Sequence, residues 1–294
     1  MGCADRFFRY YEIGGVPFSV DTPVEFEEKE PYSLFATEKK NCDVKYVFSF
    51  IDSLPEPCGK LLFEEMNYRA YAHGDKITRY IGFYKDGMVL DPPFATVTYS
   101  TKNSDAYEVR LPLDRDVPLK SAVVYRTLCF EHMLLSKKGL ILHSSLVSTK
   151  YGAILFTAPS GTGKSTQGEL WRKYRNAEVI NGDCSLIRKY NGKYTAFGLP
   201  YSGTSGICIN KRVPIAAVVY LGQAKQNTLK KLTGAAAFKA VFEGTKINLW
   251  DKNDTLEASN LIMSFLSEIP VFRLDCLPDE SSVETLENEL KKLC

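Results

Sequence analysis

The chain has 294 residues, 45% hydrophobic and 24% charged, which suits a soluble globular protein of about two domains. Its 37 basic and 35 acidic side chains leave a net charge of +2 and no sustained basic stripe, which speaks against nucleic-acid binding by charge attraction. The eight cysteines include no Cys-x-x-Cys pair, so a zinc site is not expected, and a chain this long needs no disulfide framework.

The N-terminal residues lack an uninterrupted apolar segment, and position 6 is Arg where a myristoylation signal calls for Ser or Thr. No later stretch is long enough to span a bilayer, so a cytoplasmic location without membrane contact is expected. The first 115 residues read as β-rich. Residues 10–13 and 16–20 flank Gly14-Gly15 as a hairpin, and 44–50 has strand propensity. A meander follows at 68–72 and 78–84, with turns at His73-Gly74-Asp75 and Lys85-Asp86-Gly87, and 96–99 and 107–111 add two strands. Tyr and Phe, seventeen of each in the whole chain, fit half-buried sheet packing better than an aromatic ligand platform. Pro112 and Pro118 bracket Asp114-Arg115-Asp116, which sets a domain boundary at 115/116.

From 119 to 135, apolar residues such as Val124, Leu128, Phe130 and Leu134 recur at helical spacing, and Lys137-Lys138-Gly139 stops that helix with basic residues and a C-cap glycine. A strand at 140–147 turns at Lys150-Tyr151-Gly152 into Ile154-Leu155-Phe156, an apolar run suited to a strand buried on both faces of a parallel sheet. Ala158-Pro159-Ser160-Gly161-Thr162-Gly163-Lys164-Ser165-Thr166 then carries the Walker A spacing, with Ala158 where the strict pattern has Gly. Gly161 and Gly163 let the backbone curl so that N–H groups from Ser160 to Thr166 point at phosphate oxygens. Lys164 supplies a charge for the β- and γ-phosphates, solvated until nucleotide arrives, and Ser165 a hydroxyl for Mg²⁺. A helix at 164–174 adds its positive dipole end. The segment therefore predicts a nucleoside triphosphate held with Mg²⁺.

A strand at 178–181 puts Asp183 at the sheet edge beside the phosphates, where its carboxylate can accept a hydroxyl proton or hold Mg²⁺. His143, in the strand before the phosphate loop, is a second candidate near phosphate or substrate. A hairpin follows, 186–189 with 193–197 across Asn191-Gly192. Residues 198–206 then form a loop with three glycines and three hydroxyl side chains, ahead of Lys211-Arg212. The loop can close over phosphates or substrate while Arg212 or Lys211 neutralises transferred charge. A buried strand at 215–221, helices at 232–243 and 255–266, a strand at 271–274 and a helix at 281–293 complete the chain. Asp275, at the end of that last strand, is the rival acid, ranked second because Arg273 interrupts the apolar run.

Together, His143-Ser144-Ser145-Leu146-Val147, the 158–166 loop, Gly182-Asp183 and Pro200-Tyr201-Ser202-Gly203-Thr204-Ser205-Gly206 resemble the HPr kinase/phosphorylase-related family. More closely, they are similar to the HPr-kinase-like peptide serine kinases of modified-peptide biosynthesis, and phosphoenolpyruvate carboxykinases share the core. The resemblance covers about residues 117–294. It implies an α/β fold, a P-loop core of the HPr kinase/phosphoenolpyruvate carboxykinase type carrying a β-rich N-terminal domain. It also implies ATP, Mg²⁺, phosphoryl transfer to a serine hydroxyl, Asp183 as base and His143 near the phosphates. One departure stands out: relatives often have two adjacent acids where this chain has Asp183-Cys184.

The leading expectation is an ATP-dependent kinase acting on a hydroxyl, serine above all, of a peptide or small protein. Residues 116–294 would hold the chemistry and 1–115 would recognise the acceptor. A small-molecule alcohol kinase on the same core and a non-catalytic nucleotide-binding module remain the alternatives. A homo-oligomer is compatible with the sequence.

Overall fold

The sequence folds into a mixed α/β structure with two large sheets and six helices among the described residues. The computed structural model describes residues 6–65, 67–82, 84–85, 88–89, 93–113, 119–201 and 203–293. Two compact units follow one another along the chain, Met1–Met133 and Leu134–Cys294.

In the first unit the strands are β1 (Phe7–Ile13), β2 (Val16–Thr22), β3 (Val44–Ile51), β4 (Lys60–Glu65), β5 (Tyr68–His73) and β6 (Lys76–Ile81), then β7 (Tyr84–Lys85), β8 (Met88–Val89), β9 (Ala95–Ser100) and β10 (Ala106–Pro112). The helices α1 (Ser121–Arg126) and α2 (Phe130–Ser136) come next. Eight of the strands form one sheet in the order β1-β2-β3-β10-β9-β6-β5-β4, and β7 pairs only with β8. Strand periodicity accounts for the burial: Val44, Tyr46 and Phe48 point inward from β3 while Lys45 and Val47 point out. Tyr46 and Tyr107 stack at 4.6 Å, and Tyr99 lies 4.2 Å from the His132 ring, so these aromatics are core. Arg79, 2% exposed, is held in that core by Glu131 at 2.5 Å and by the Tyr99 hydroxyl.

The expected boundary at 115/116 and the Asp86-Gly87 turn lie outside the described residues. The division between units falls instead at 133/134, because α1 and the start of α2 pack into the N-terminal core. Phe130 lies 5.8 Å from Phe18, and the Tyr46 hydroxyl donates to the Leu128 carbonyl at 2.5 Å. The single helix expected over 119–135 is also two. Thr127 turns its hydroxyl back to the Val124 carbonyl at 2.6 Å, and Cys129 takes a left-handed φ of 45°, which breaks the helical ladder. At the end of α2 the left-handed residue is Lys138, not Gly139. Gly139 serves close approach, since a Cβ there would lie 2.8 Å from Leu186 Cδ1.

The second unit contains β11 (Gly139–Thr149), β12 (Gly152–Thr157), α3 (Lys164–Arg175), β13 (Glu178–Asn181), β14 (Cys184–Tyr190) and β15 (Lys193–Gly198). It continues through β16 (Arg212–Gln223), β17 (Thr228–Leu232), α4 (Gly234–Phe242), α5 (Lys252–Leu266), β18 (Val271–Cys276) and α6 (Glu280–Leu290). The sheet is mixed, not all-parallel: β12 runs antiparallel to β11 and parallel to β16, which is parallel to β18. Helices cover both faces, which is why β12 and the middle of β16 read as continuous apolar runs. On one face Val241, Ile262 and Phe265 of α4 and α5 pack on Leu142, Leu155 and Val218. On the other, Trp171 of α3 and Val283, Leu286 and Leu290 of α6 pack on Ile154, Phe156 and Val219.

β13 and β12 lie on β11, both antiparallel to it. They therefore run in the same direction, and their carboxyl ends reach the same edge of the sheet. That topology brings residues after Thr157 and after Asn181 together.

Candidate active site

The chain leaves β12 into a loop whose Gly161 and Gly163 have φ of +77° and +116°, a conformation that side-chain-bearing residues rarely adopt. α3 begins directly at Lys164, so the first N–H groups of the helix face the loop. Ser160, Ser165 and Thr166 are exposed at this end. Lys164 departs from the sequence expectation of a solvated charge. It is buried, and its ammonium donates to the loop's own carbonyls, Ala158 at 3.0 Å and Pro159 at 3.3 Å. Burial holds it below the usual lysine range, an effect the Asp183 carboxylate partly offsets.

Asp183 sits in a bend fixed by Asn181, which is fully buried. The Asn181 Oδ1 accepts from the N–H groups of Asp183 at 2.9 Å and Cys184 at 3.0 Å, while its Nδ2 donates to Leu199 O at 2.8 Å. The Asp183 carbonyl accepts from the Ser144 N–H at 3.0 Å. Its Oδ1 lies 3.4 Å from His143 Nδ1, and its Oδ2 accepts from the Cys184 thiol at 3.1 Å. The backbone of His143 is fixed on both sides: its N–H donates to Gly244 O at 2.7 Å, and its carbonyl accepts from Thr157 Oγ1 at 3.0 Å. Burial and the Lys164 charge hold His143 below the ordinary imidazole value, which favours the neutral ring. Burial pushes the Cys184 thiol up to about 12, with the nearby Lys246 ammonium opposing the shift.

The 198–206 loop folds onto this acid. A Cβ on Gly203 would lie 2.8 Å from Asp183 Cβ, and one on Gly182 would lie 2.1 Å from Ser205 Oγ. Ser202 lies outside the described residues.

The structure does not bring the two expected loop cations to Asp183. Lys211 pairs with Glu178 at 2.5 Å, and the Arg212 guanidinium lies over the Tyr190 ring at 4.4 Å. Strand register accounts for this: Arg212 opposes Phe197, which opposes Leu186, so it sits two strands away from β14, on a branch facing the hairpin. Besides Lys164, a cation that acts on Cys184 and His143 is Lys246. The segment after α4 makes a bridge of Thr245 with Leu142, and the Lys246 N–H donates to Ile141 O at 2.8 Å. The Lys246 ammonium stands 4.9 Å from the Tyr201 ring and beside Cys184. The only sequence signal for it was a cation placed two residues after the helix-stopping Gly244. Asp275 is tied to Arg273 at 2.5 Å, which pairs its charge.

No family model matches this chain, and no curated protein matches its sequence. Among solved structures, the HPr(Ser) kinase/phosphatase from Coxiella burnetii aligns with 52% of this chain and 93% of its own, at 9% identity and a TM-score of 0.31. That likeness is too slight to carry an argument about function.

Beside the 158–166 loop lies a pocket of about 440 Å³, within the size range of ligand sites. Gly161, Thr162, Gly163 and Gln167 line one side; Gly222, Ala224, Cys276 and Pro278 line the other. Gln167 donates to Ser282 Oγ at 2.9 Å, which leaves its Oε1 buried without a protein partner. Among the described residues no helix is long and apolar enough to cross a membrane.

Proposed function

We propose that this chain is an ATP-dependent phosphotransferase of the HPr-kinase-like P-loop type, which moves the γ-phosphoryl group to a hydroxyl, serine above all, of a peptide or small protein. The observation that carries the reading is the convergence of a glycine-curled loop with its lysine and a fixed carboxylate on one sheet edge. Lys164 lies close enough to the Asp183 carboxylate to feel its charge, and Asp183 lies 3.4 Å from His143. The loop amides from Ser160 to Thr166 hold the triphosphate, with the nucleoside in the adjoining pocket. Lys164 turns from its carbonyls to the β- and γ-oxygens, a stronger charge-assisted partner. Asp183 takes the proton of the attacking hydroxyl, and Lys246, rather than Arg212, balances charge on the acceptor side. The donor set fits Mg²⁺, since the Ser165 hydroxyl and the Asp183 carboxylate are hard oxygen ligands. Mg²⁺ there would neutralise charge on the transferring phosphoryl group.

The test is to incubate the chain with Mg²⁺ and ATP against candidate peptides and metabolites and to locate phosphate by mass spectrometry. Phosphoserine on a peptide is the expected product. Phosphate on a metabolite alcohol would move the acceptor to a small molecule. ATP binding without transfer to any of them would leave a nucleotide-binding module in place of an enzyme.

A further inference from the structure

Cys184 stands where an acid was expected, and it converges with two other ligand types. His143 and Cys184 are register partners on the antiparallel strands β11 and β14, so their side chains leave neighbouring backbone positions. Asp183 precedes Cys184 in a bend, not in the strand, and the bend turns its carboxylate toward the same point. One ligand atom from each of His143, Asp183 and Cys184 lies within 4.8 Å of the others. The two contacts that Asp183 makes are shorter: 3.4 Å to Nδ1 and 3.1 Å to Sγ. Ligands about 2.0–2.3 Å from one tetrahedral ion stand roughly 3–4 Å apart, so small side-chain rotations close the set. The backbones behind all three ligands are fixed by hydrogen bonds to Asn181, Gly244 and Thr157.

We propose that His143 Nδ1, the Asp183 carboxylate and Cys184 Sγ bind a borderline-soft divalent transition-metal ion of the Zn²⁺ class, with the fourth position open. Mixed nitrogen, oxygen and sulfur donors select such an ion over Mg²⁺, which takes oxygen alone. Binding exchanges the thiol proton for the metal: Cys–SH and M²⁺ give Cys–S–M⁺ and H⁺, while the neutral imidazole and the ionised carboxylate donate lone pairs. Thiolate and carboxylate together balance the charge of the ion. The spacing argument against a Cys-x-x-Cys zinc site does not reach this cluster, in which His143 meets Asp183 and Cys184, some forty residues later, through strand pairing. The ion would occupy the Asp183 carboxylate and so compete with proton acceptance; that consequence rests on the phosphotransfer reading, whereas the site itself does not.

Titrating the chelator-treated full chain with Co²⁺ tests the site optically, independent of any turnover. The expected result is a near-ultraviolet thiolate-to-Co²⁺ charge-transfer band with strong visible bands of four-coordinate Co²⁺, saturating at one equivalent and bleached by one equivalent of Zn²⁺. C184S should abolish the charge-transfer band. Because Cys184 is fully buried, that variant is read beside H143Q, which keeps the sulfur. H143Q should retain the band but weaken Co²⁺ binding by more than the ~10–100-fold cost of losing an outer-shell partner. Absence of the band in the wild-type chain, its persistence in folded C184S, or unchanged affinity in H143Q would each overturn the proposal.

Discussion

Asp183 owes its position to Asn181, whose buried side chain accepts two N–H groups and donates to one carbonyl. Asn181→Ala strands those groups in a fully buried place, so it should destabilise the fold by about 3 kcal/mol, the scale for buried polar groups left unpaired. Urea denaturation reads this directly, and a loss below ~1 kcal/mol would mean water replaces the amide. Asp183→Asn keeps the shape and removes the proton acceptor. ATP affinity should stay near normal while phosphoryl transfer falls roughly 10²–10⁴-fold, as loss of a general base requires. An unchanged transfer rate would take the base away from Asp183. His143 adds a pH signature. Its folded pKa lies below the ordinary value of 6.5, so the unfolded chain binds more protons in between. Stability therefore falls as pH drops below 6.5, and the loss saturates once His143 protonates in the folded state. The wild-type minus H143Q difference in melting temperature across pH 5–7.5 should show that slope, and parallel curves would refute it. At this scale motif spacing is what singles out Lys164 and Asp183 in the sequence, and the fold brings the two near each other. Lys246 was hidden, since the bridge of Thr245 with Leu142 is what brings it to Cys184 and His143.

At the scale of elements, the 198–206 loop and the bend before β14 are in contact through glycine. Gly203→Ala adds a Cβ 2.8 Å from Asp183 Cβ at φ +51°, so the loop or the acid must move. A misplacement near 1 Å costs about 10²-fold in rate, which sets the expected loss of transfer. Gly206→Ala is the control: φ is +67° but nothing lies within 4 Å, so it should cost only backbone strain of ~1–2 kcal/mol. Equal loss of activity in both variants would show that loop strain, not contact with Asp183, is responsible. Elements with strong burial were legible before the structure: β12 and the middle of β16 as apolar runs, α3 after the phosphate loop, and the Asn191-Gly192 hairpin. β4 and β17 were not, because they are edge strands in which Lys60-Leu61-Leu62-Phe63-Glu64-Glu65 and Thr228-Leu229-Lys230-Lys231-Leu232 are largely exposed or half-buried. With little side chain to bury, such strands take their shape from backbone pairing, which leaves no periodicity to read. The split between α1 and α2 escaped for a related reason: apolar spacing continues through Thr127 and Leu128, and only the left-handed Cys129 interrupts the ladder.

For the whole molecule, the division into two compact units has a direct consequence for where function resides. Every group assigned to the phosphate and acceptor-hydroxyl sites, from His143 to Lys246, belongs to the unit Leu134–Cys294, which has helices on both faces of its own sheet. Its parallel and antiparallel strand pairs were not separable from sequence, since an apolar run looks the same whichever way its neighbour runs. The N-terminal unit brings a sheet that ends in β1, where Tyr11 bridges Ala36 and Tyr10 O accepts from the Thr37 N–H, and in β4 at the other edge. Under the proposed function an extended peptide acceptor pairs with β4 through main-chain hydrogen bonds. A fragment spanning residues 134–294 should therefore fold and bind ATP within about tenfold of the full chain, a difference of ~1.4 kcal/mol. It should lose efficiency and selectivity toward a peptide acceptor. Calorimetric ATP titration and acceptor phosphorylation on the same soluble fragment separate the two roles. A folded fragment that fails to bind ATP would remove the nucleotide site from the second unit alone. Phosphorylation at full efficiency would instead move acceptor selection into the second unit, where the 198–206 loop against Asp183 is the element placed to make it.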